Sequence, residues 1–368
     1  MNKHNDNLII TVYIGTPLQG IPTVFFLDKI LFPEKHIEQN IWNMFQGVEG
    51  EAPFNFLKVV SNPKDADFLL LPHNHFSLKR TSPRDADLLL SHLLACAEQY
   101  KKKILIFEQA DSDEHIDVPH SYIFRYSQYG YKKRENEIIT PPYPLHDRSF
   151  KLAEYREKTW KEIIPTREKS DKPIVSFCGW ADFPSLYREC TYRARVFLAH
   201  VKKYIFRDPH AILHLRGLYF RRKAMRSLSN SSRIHTNFLM RKSYAAQKIS
   251  DDAEREYIES ILNAHFVLAP KGNGNASVRF FEALSLGRFP ILINTDCELP
   301  LKNHIPYDKF VVTVDHTRME DAELAILDFY NSLSNEEFKK RQKMAREAFE
   351  LLRPGSFLKI VLSELKQR

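Results

Sequence analysis

The sequence predicts an α/β protein of two domains, each built around a parallel β-sheet. The chain has 368 residues, which is long enough for two separate cores. Hydrophobic residues make up 43% of it, a fraction too high for a disordered chain. Short apolar runs alternate along both halves with longer amphipathic stretches, and this alternation is typical of parallel strands joined by helices.

The apolar runs and the amphipathic stretches give the predicted order of elements. Strands are predicted at 8–14, 68–71, 104–107, 122–124, 174–178, 211–215, 265–269, 289–293 and 310–314. Helices are predicted at 37–45, 85–100, 257–264 and 277–287, and about three more fill 321–368, with breaks near Ser334 and at Pro354. We place the first domain at 1–160, the second at 161–345, and a terminal helix that can return to the first domain at 346–368.

Residues 257–300 carry the strongest functional signal. The loop that follows an apolar run there is rich in small polar residues: Gly272, Gly274, Asn275 and the helix-capping residue Ser277. The first N–H groups of a helix have no partner within it and, together with the helix dipole, attract anions. The pattern therefore predicts a phosphate-binding loop, although a Gly-x-Gly pair by itself is a weak signal.

Arg279 and Glu282 lie three positions apart in the predicted helix and so project from the same side of it. A cation one turn inside a phosphate-binding helix can neutralise a diphosphate, and a carboxylate can accept hydrogen bonds from ribose hydroxyls. This pattern indicates a sugar-nucleotide site. The alternative is an ordinary ion pair between the two side chains on a helix surface.

The order of residues across 257–300 resembles the signature of the exostosin-type glycosyltransferases. The matching positions are Tyr257, Phe266, Leu268, Pro270, Gly272, Ser277, Arg279, Glu282, Ala283, Gly287, Pro290, Asp296, Leu299 and Pro300. Two positions depart from the family's pattern: Arg288 stands where the family commonly has Cys, and an Asn in the loop takes the place of an Asp. Thinner similarity at 62–72, 138–142 and 172–179 extends the resemblance over the span 55–315.

The resemblance implies the GT-B architecture, in which two Rossmann-like domains face a central cleft. It also implies transfer of a sugar from a nucleoside diphosphate sugar, with UDP as the default nucleotide. An Arg on the helix after the strand at 174–178 is expected to reach the donor phosphates, and Arg193 or Arg195 matches it by spacing. A fucosyltransferase-like GT-B enzyme that uses a GDP-sugar is one alternative. A non-catalytic protein that binds a glycan or a nucleotide is an alternative from another class.

An inverting transfer needs a general base for the acceptor hydroxyl, and we place this base in the first domain. Polar residues there directly follow two apolar strands, whose carboxyl ends are where parallel sheets bind ligands. The candidate bases are His73, His75, Glu108 and Asp111. For the two histidines the alternative is a strand-end residue bonded only to backbone.

The sequence predicts no metal site and no cofactor. No third ligand accompanies His73 and His75 at the spacing of a metal site. No Asp-x-Asp follows the nucleotide loop, where a metal-bridged diphosphate would require it. Arg279 and the helix N-terminus can neutralise the diphosphate themselves, so we predict a metal-independent mechanism.

The formal net charge of +8 predicts an anionic partner. No nucleic-acid-binding motif accompanies the charge, so a glycan or lipid-linked glycan acceptor and an anionic membrane surface are better candidates than nucleic acid. The first residues lack the apolar core of a signal peptide, and the four cysteines are too scattered for a zinc site. We expect a cytoplasmic enzyme of polysaccharide biosynthesis that contacts the inner face of the membrane peripherally.

Overall fold

The computed structural model describes residues 9–31, 54–143, 148, 164–183, 185–241 and 251–367. The chain divides into two compact units. The first unit takes the residues up to 145 with 298–301 and 350–368, and the second takes 146–297 with 302–349. The helix predicted at 37–45 lies outside the described residues.

The first unit is built on a parallel sheet. Its strands are β1 (Ile10–Tyr13), β2 (Leu57–Val59), β3 (Phe68–Leu70), β4 (Lys103–Glu108), β5 (Ser121–Arg125) and β6 (Glu137–Ile139). They are ordered β2-β1-β3-β4-β5-β6, and every pairing between neighbours is parallel. The described helices of its first 145 residues are α1 (Leu27–Leu31), α2 (His75–Thr81) and α3 (Pro83–Tyr100), with short 3₁₀ turns at Pro63–Asp65 and Gly130–Lys132.

Local sequence explains the bounds of α3. Pro83 occupies its first turn, where the missing N–H would have had no helical partner. Leu90, Leu93 and Ala97 recur at helical spacing and are buried. Lys101 ends the helix in the left-handed conformation, with φ of 56°. The helix therefore covers the apolar sheet with one face and is exposed on the other.

The second unit is also built on a parallel sheet. Its strands are β7 (Ile174–Trp180), β8 (His235–Arg241), β9 (Phe266–Ala269), β10 (Phe289–Asn294) and β11 (Val312–Asp315). The order is β11-β10-β9-β7-β8, again parallel throughout. The described helices are α4 (Leu186–Tyr204), α5 (Gly217–Ser229), α6 (Asp251–Leu262), α7 (Val278–Ser285), α8 (Ala322–Asn331) and α9 (Asn335–Leu352), with 3₁₀ turns at Tyr307–Lys309 and Met319–Asp321.

The strand predicted at 211–215 is wrong. Those residues form turns, and their apolar side chains are buried without joining the sheet. The strand beside β7 is instead β8, which lies at the edge of the sheet and whose side chains are half-buried or exposed. Its sequence, HTNFLMR, begins with three polar residues and holds an apolar run of only three, and no strand was predicted there. The short strand β2 was missed as well.

The last helix, α10 (Pro354–Lys366), belongs to the first unit. Its residues Phe357, Leu358, Val361, Leu362 and Leu365 are buried in the same hydrophobic cluster as β1, β3 and β4. The Lys366 ammonium donates to a carboxylate oxygen of Asp67 at 2.8 Å, just before β3. The breaks predicted near Ser334 and at Pro354 are confirmed by the limits of α8, α9 and α10.

Each unit by itself is an open parallel sheet with helices, which confirms the predicted α/β class. In both sheets the chain runs from an inner strand to a neighbour on one side and then crosses to the strand on the other side. These steps are β1 to β2 and then β3 in the first sheet, and β7 to β8 and then β9 in the second, as in Rossmann-like folds. Across the described ranges, the helices are too short or too polar to span a bilayer.

Candidate functional site

The order of strands in the second sheet locates a crevice between β7 and β9. The chain passes from β7 outward to β8 and then returns to β9 on the other side, so the strand order reverses at this point. In open α/β sheets, ligands bind beside the carboxyl ends of the two strands at such a reversal. The loop predicted to bind phosphate, residues 270–277, follows β9 directly at this edge.

Internal hydrogen bonds fix the shape of this loop. The N–H of Gly272 donates to the carbonyl of Ala276 at 2.7 Å and closes the loop on itself. Asn275 is buried, and its amide group donates to the carbonyl of Asp296 at 3.1 Å. Its amide oxygen accepts from the Thr295 hydroxyl at 2.6 Å. Asn275 therefore ties the loop to the end of β10, and Gly274 is buried within the same turn.

The start of α5 packs against the other side of the loop. A Cβ atom at Gly217 would lie 2.0 Å from the Lys271 carbonyl oxygen, so only glycine fits there. The Gly217 N–H donates to the Gly272 carbonyl at 3.0 Å. The Lys271 ammonium is buried, donates to the Leu213 carbonyl at 2.5 Å and lies 5.3 Å from the ring centre of Phe220. Lys271 thus holds the buried turns at 211–215 against α5.

Ser277 precedes α7 in the extended conformation of a helix cap, but its side chain does not cap the helix. The residue is 7% exposed, and within the described part of the chain its hydroxyl oxygen has no hydrogen-bond partner. The first turn of α7 carries no acidic side chain. Backbone N–H groups at this helix end and an unused buried hydroxyl together form a site suited to an anion.

Arg279 crosses from α7 to the carboxyl end of β7. Its Nε donates to the Cys178 carbonyl at 3.1 Å, and its guanidinium carbon lies 4.7 Å from the ring centre of Phe177. A Cβ atom at Gly179 would be 2.1 Å from Arg279 Nη2, so the missing side chain makes room for the guanidinium. Among the described residues, hydrogen bonding of Arg279 to protein is confined to Nε. Its terminal N–H groups remain for a ligand.

Glu282 is engaged in a buried network with Arg148 and Tyr257, whereas helical spacing alone had grouped it with Arg279 as one grip on a sugar nucleotide. Glu282 is 4% exposed. One carboxylate oxygen accepts from Arg148 Nε at 2.9 Å and Nη2 at 2.5 Å, and the other accepts from the Tyr257 hydroxyl. Arg148 also donates to Glu254 at 2.8 Å. Glu282 therefore joins Arg148 to α6 and α7.

The electrostatics of this cluster follow from its burial. Burial alone would lower the pKa of Arg148, but the charge of Glu282, its hydrogen bond to Arg148 and the nearby Tyr257 and Glu254 together outweigh burial and raise that pKa above the ordinary value. Burial, followed by the charge of Glu282, raises the pKa of the Tyr257 hydroxyl well above its usual range. Arg148 thus stays cationic and Tyr257 stays protonated, so both donate to one carboxylate.

Arg193 and Arg195 both lie in the middle of α4. Arg193 pairs with Glu189 at 2.7 Å and lines a cavity of about 510 Å³ between α4 and α5. Arg195 is exposed. Within the described part of the chain, neither side chain forms a hydrogen bond to the loop at 270–277, whereas Arg279 reaches the end of β7 itself.

Arg288, where the exostosin family commonly has Cys, is buried and structural. Its guanidinium donates to the backbone carbonyls of Leu262, Leu286, Gly287 and Pro165 at 3.0–3.3 Å. Burial lowers its pKa to about 10. This departure from the family's pattern therefore lies outside the candidate anion site.

In the first unit, two of the four candidate bases form a pair. His75 begins α2, and its Nδ1 lies 2.8 Å from a carboxylate oxygen of Glu108 at the end of β4. Their side chains are 13% and 4% exposed. His75 also lines a cavity of about 450 Å³, with Lys79, Asp87, Leu90, Ser91, Leu94, His115, Ile116, Asp117 and Val118. A histidine held through Nδ1 by a carboxylate presents Nε2 as a proton acceptor.

His73 and Asp111 are placed differently. His73 is fully buried; its Nε2 accepts from the Leu18 N–H at 2.9 Å, so its Nδ1 donates to the Pro22 carbonyl at 3.1 Å. Both ring nitrogens are used to hold the loop after β1, which is the structural alternative considered for this residue. Asp111 accepts from the Tyr126 hydroxyl at 3.0 Å. Within the described ranges, no group of three or more His, Cys, Asp or Glu residues is placed to hold a metal ion.

The sequence reasoning missed two residues that shape these sites. Gly217 precedes an amphipathic stretch and could have been noticed as a glycine at a helix start, but its close neighbour lies more than fifty positions away at Lys271. Arg148 lies in a polar stretch without any motif, and only the fold brings it to Glu282. No local signal predicts that contact.

Comparisons with known proteins agree on part of the chain. Residues 217–328 match the family model for the Exostosin GT47 domain, a range that runs from the start of α5 into α8. The Exostosin-1 homolog of Caenorhabditis elegans is 30% identical over 105 residues, which is 28% of this chain and 26% of that protein. The chain therefore matches about a quarter of the length of this curated relative.

Three solved structures are similar at low identity. TarM is 10% identical with a TM-score of 0.36, over 86% of this chain and 56% of that one. Anabaena Alr3699/HepE in complex with UDP and glucose is 8% identical with a TM-score of 0.33, over 98% and 99%. The catalytic domain of starch synthase IV from Arabidopsis thaliana, bound to ADP and acarbose, is 12% identical with a TM-score of 0.28, over 82% and 56%. All three TM-scores are below 0.5.

Proposed function

We propose, from the match of residues 217–328 to the Exostosin GT47 domain, that this chain is a GT-B glycosyltransferase. It transfers a sugar from a nucleoside diphosphate sugar, with UDP as the default nucleotide, to a glycan or a lipid-linked glycan. The second unit binds the donor, and the first unit supplies the general base. Transfer proceeds with inversion and without a metal ion.

The observation that carries the proposal is the position of Arg279. Its guanidinium lies over Gly179 at the carboxyl end of β7, close to where α7 begins beside β9. A diphosphate bound there would receive two kinds of positive partner: the terminal N–H groups of Arg279 and the backbone N–H groups at the start of α7. The buried hydroxyl of Ser277 adds a neutral donor. These groups stabilise the charge that develops on the nucleoside diphosphate as it leaves.

The base is proposed to be His75. In an inverting transfer, the acceptor oxygen attacks the anomeric carbon, the bond from that carbon to the diphosphate oxygen breaks, and the base takes the acceptor proton. His75 Nε2 receives this proton while Glu108, bonded to Nδ1, holds the ring and stabilises the imidazolium that forms. Glu108 is the last residue of β4 and Asp111 follows the strand, and Glu108 is already bonded to His75. His73 is less suited because both its nitrogens bind backbone.

Metal independence is supported by the donor site's own cation. Arg279 and the helix N-terminus neutralise the diphosphate, so the proposed reaction needs no divalent ion at that position. A cytoplasmic location is proposed because Cys96, Cys178, Cys190 and Cys297 are all free thiols, which suits a reducing compartment. We further propose that the enzyme works at the inner face of the membrane, where a lipid-linked acceptor would be reached.

The test is donor binding by an Arg279→Ala variant, measured by calorimetry with UDP and with a panel of UDP- and GDP-sugars. Loss of a charge-assisted contact costs about 1.5–3 kcal/mol, so affinity should fall roughly 10- to 150-fold while the melting temperature stays close to the parent's. Arg195→Ala is the matched control, because it removes the same charge from an exposed site on α4. Unchanged affinity in Arg279→Ala would contradict the assignment.

The same panel separates the alternatives. Preferential binding of GDP-sugars would favour the fucosyltransferase-like enzyme over a UDP-dependent one. Slow release of the free nucleotide from its donor without acceptor is expected of a transferase. A protein that binds the donor tightly yet releases none, with or without a range of glycan acceptors, would be a binding protein.

A further inference from the structure

Helix α4 exposes an unusually apolar face. We define the α4 stripe as the apolar side chains that project from one side of this helix and its end: Leu186, Tyr187, Phe197, Leu198, Tyr204 and Ile205. They are between 55% and 80% exposed. At 3.6 residues per turn they occupy a sector roughly 120° wide. Phe206, just beyond the helix, is 74% exposed and extends the apolar surface.

The stripe is not the face by which α4 joins its own unit. In α4 the side chain buried by packing is that of Ala199, on a sector roughly opposite the middle of the stripe. Tyr192 and Val196 lie beside Ala199 and are half-buried. The helix therefore has two apolar faces, one against the fold and one in solvent. Large exposed apolar patches on soluble proteins mark surfaces that bind something.

Cations border the stripe on both sides. Arg188, Arg195 and Lys202 lie along one edge at helical spacing and are exposed. Arg193 lies along the other edge and is exposed as well. Beyond it the cavity between α4 and α5 is lined by three more basic residues, Arg222, Lys223 and Arg226. The acidic residue of the helix, Glu189, is paired with Arg193.

We propose that the α4 stripe binds the surface of an anionic lipid bilayer, with α4 lying in the plane of the membrane. Its leucine, isoleucine and phenylalanine side chains enter the boundary of the acyl chains, and its tyrosines lie at the level of the headgroups. The flanking arginines and lysines extend along the apolar stem of their own side chains and place their charges on lipid phosphates. An amphipathic helix with this division of residues is typical of interfacial binding.

Charge decides between a bilayer and a second copy of this chain. In a symmetric dimer through the stripe, the cations at both edges would face the same cations of the other copy, and like charges at close range repel. An anionic bilayer instead presents negative charge along both edges. The net charge of +8 acts in the same direction by attracting the whole chain to such a surface.

This inference extends the proposed membrane contact by naming its surface. Vesicle binding is measured without any sugar nucleotide, so its failure is distinguishable from a failure of the glycosyltransferase proposal. The purified chain is mixed with vesicles of phosphatidylcholine alone or with added phosphatidylglycerol, and the bound fraction is measured by flotation. We expect binding to the anionic vesicles that weakens with salt and little binding to neutral ones.

Two pairs of variants test the apolar and the charged parts. Leu198→Glu should reduce the partition constant roughly tenfold or more, because the leucine that would enter the bilayer is lost and a negative charge is added. Leu324→Glu on α8 is the matched control, since Leu198 is 55% and Leu324 52% exposed. The double variant Arg195→Glu with Lys202→Glu should reduce the partition constant roughly 30-fold or more. Lys340→Glu with Lys343→Glu, exposed on α9, makes the same change of charge away from the stripe.

The proposal is overturned if Leu198→Glu binds anionic vesicles as tightly as Leu324→Glu does. It is also overturned if sedimentation without lipid shows a dimer that Leu198→Glu dissociates, because the stripe would then be a contact between copies. Equal loss of binding in the two double variants would show that only total charge matters, and the assignment to α4 would fail. All four variants change exposed side chains, so circular dichroism should show the parent fold in each.

Discussion

Replacing Glu282 by alanine should destabilise the protein more than it weakens donor binding. The substitution removes the carboxylate that accepts two bonds from Arg148 and one from the Tyr257 hydroxyl. The Arg148 side chain is 16% exposed, and of the hydrogen bonds that its guanidinium forms to described residues only the one to Glu254, at 2.8 Å, would remain. Removing one partner of a buried ion pair costs about 3–5 kcal/mol because the other charge is left without compensation.

The cost can be expressed as a melting temperature. The second unit has about 200 residues, and for a unit of that size each kcal/mol shifts the midpoint by about 2–4 °C. Glu282→Ala should therefore unfold roughly 6–20 °C below the parent in calorimetry. At a temperature where the variant is folded, its affinity for the sugar nucleotide should match the parent's, because both carboxylate oxygens of Glu282 are already bonded to Arg148 and Tyr257.

Two controls sharpen this test. Glu254→Ala removes the outer partner of Arg148 and should lower the midpoint far less, since a partly exposed pair contributes under about 1 kcal/mol. Glu282→Gln keeps the shape of the side chain and one accepting oxygen, so its melting midpoint should lie between those of Glu282→Ala and Glu254→Ala. If Glu282→Ala melts with the parent and loses donor affinity, the carboxylate contacts the nucleotide, and the assignment of Glu282 to the buried network is wrong.

Three further predictions address pH, the base and metal ions. Burial lowers the pKa of His265 in the folded protein to about 4, whereas its ordinary pKa, which holds in the unfolded chain, is near 6.5. As the pH falls below 6.5, the unfolded chain therefore binds a proton at His265 before the folded protein does. The contribution of neutral His265 to the free energy of unfolding is therefore fully present above pH 6.5 and should fall by about 3 kcal/mol toward pH 4. Urea unfolding across this pH range measures the loss. The free energy of unfolding of His265→Gln should fall less over the same range. His75→Asn should cut turnover roughly 10²–10⁴-fold with donor affinity unchanged, Glu108→Gln should cut it less, and normal turnover in both would place the base elsewhere. Transfer should survive excess EDTA, and a requirement for manganese or magnesium restored by adding the ion back would contradict the metal-free mechanism.

The sequence predicts the buried strands well because their signal is local. The runs at β3, β4, β9 and β10 are apolar on both faces, which is the composition of a strand covered by helices on either side. The edge strand β8 lacks that composition because it packs on fewer neighbours. The run at 211–215 has the composition but lies in turns, where Lys271 bonds to the Leu213 carbonyl. Burial and strand pairing are separate properties, and composition reports only burial.

The candidate site was predictable in its backbone and not in its side chains. A small-residue loop before a helix is a local pattern, and the structure places that loop at the edge between β7 and β9. The directions of Arg279 and Glu282 depend on distant partners, namely Gly179 and Arg148, so helical spacing could not assign them. For His75 and Glu108 the rule that parallel strands end at one edge was enough to bring them together.

The location of α10 has a consequence for how the chain folds as it is synthesised. The first unit takes five buried side chains of its core from this helix, which leaves the ribosome only after the whole second unit has been made. Part of the apolar surface of the first sheet therefore stays uncovered until this helix has been synthesised. All segments of the second unit have been synthesised before that point. During that interval the uncovered strands β1 and β3 are a natural target for a chaperone. Biogenesis of this protein thus runs against the usual order, because the unit that is begun first is finished last.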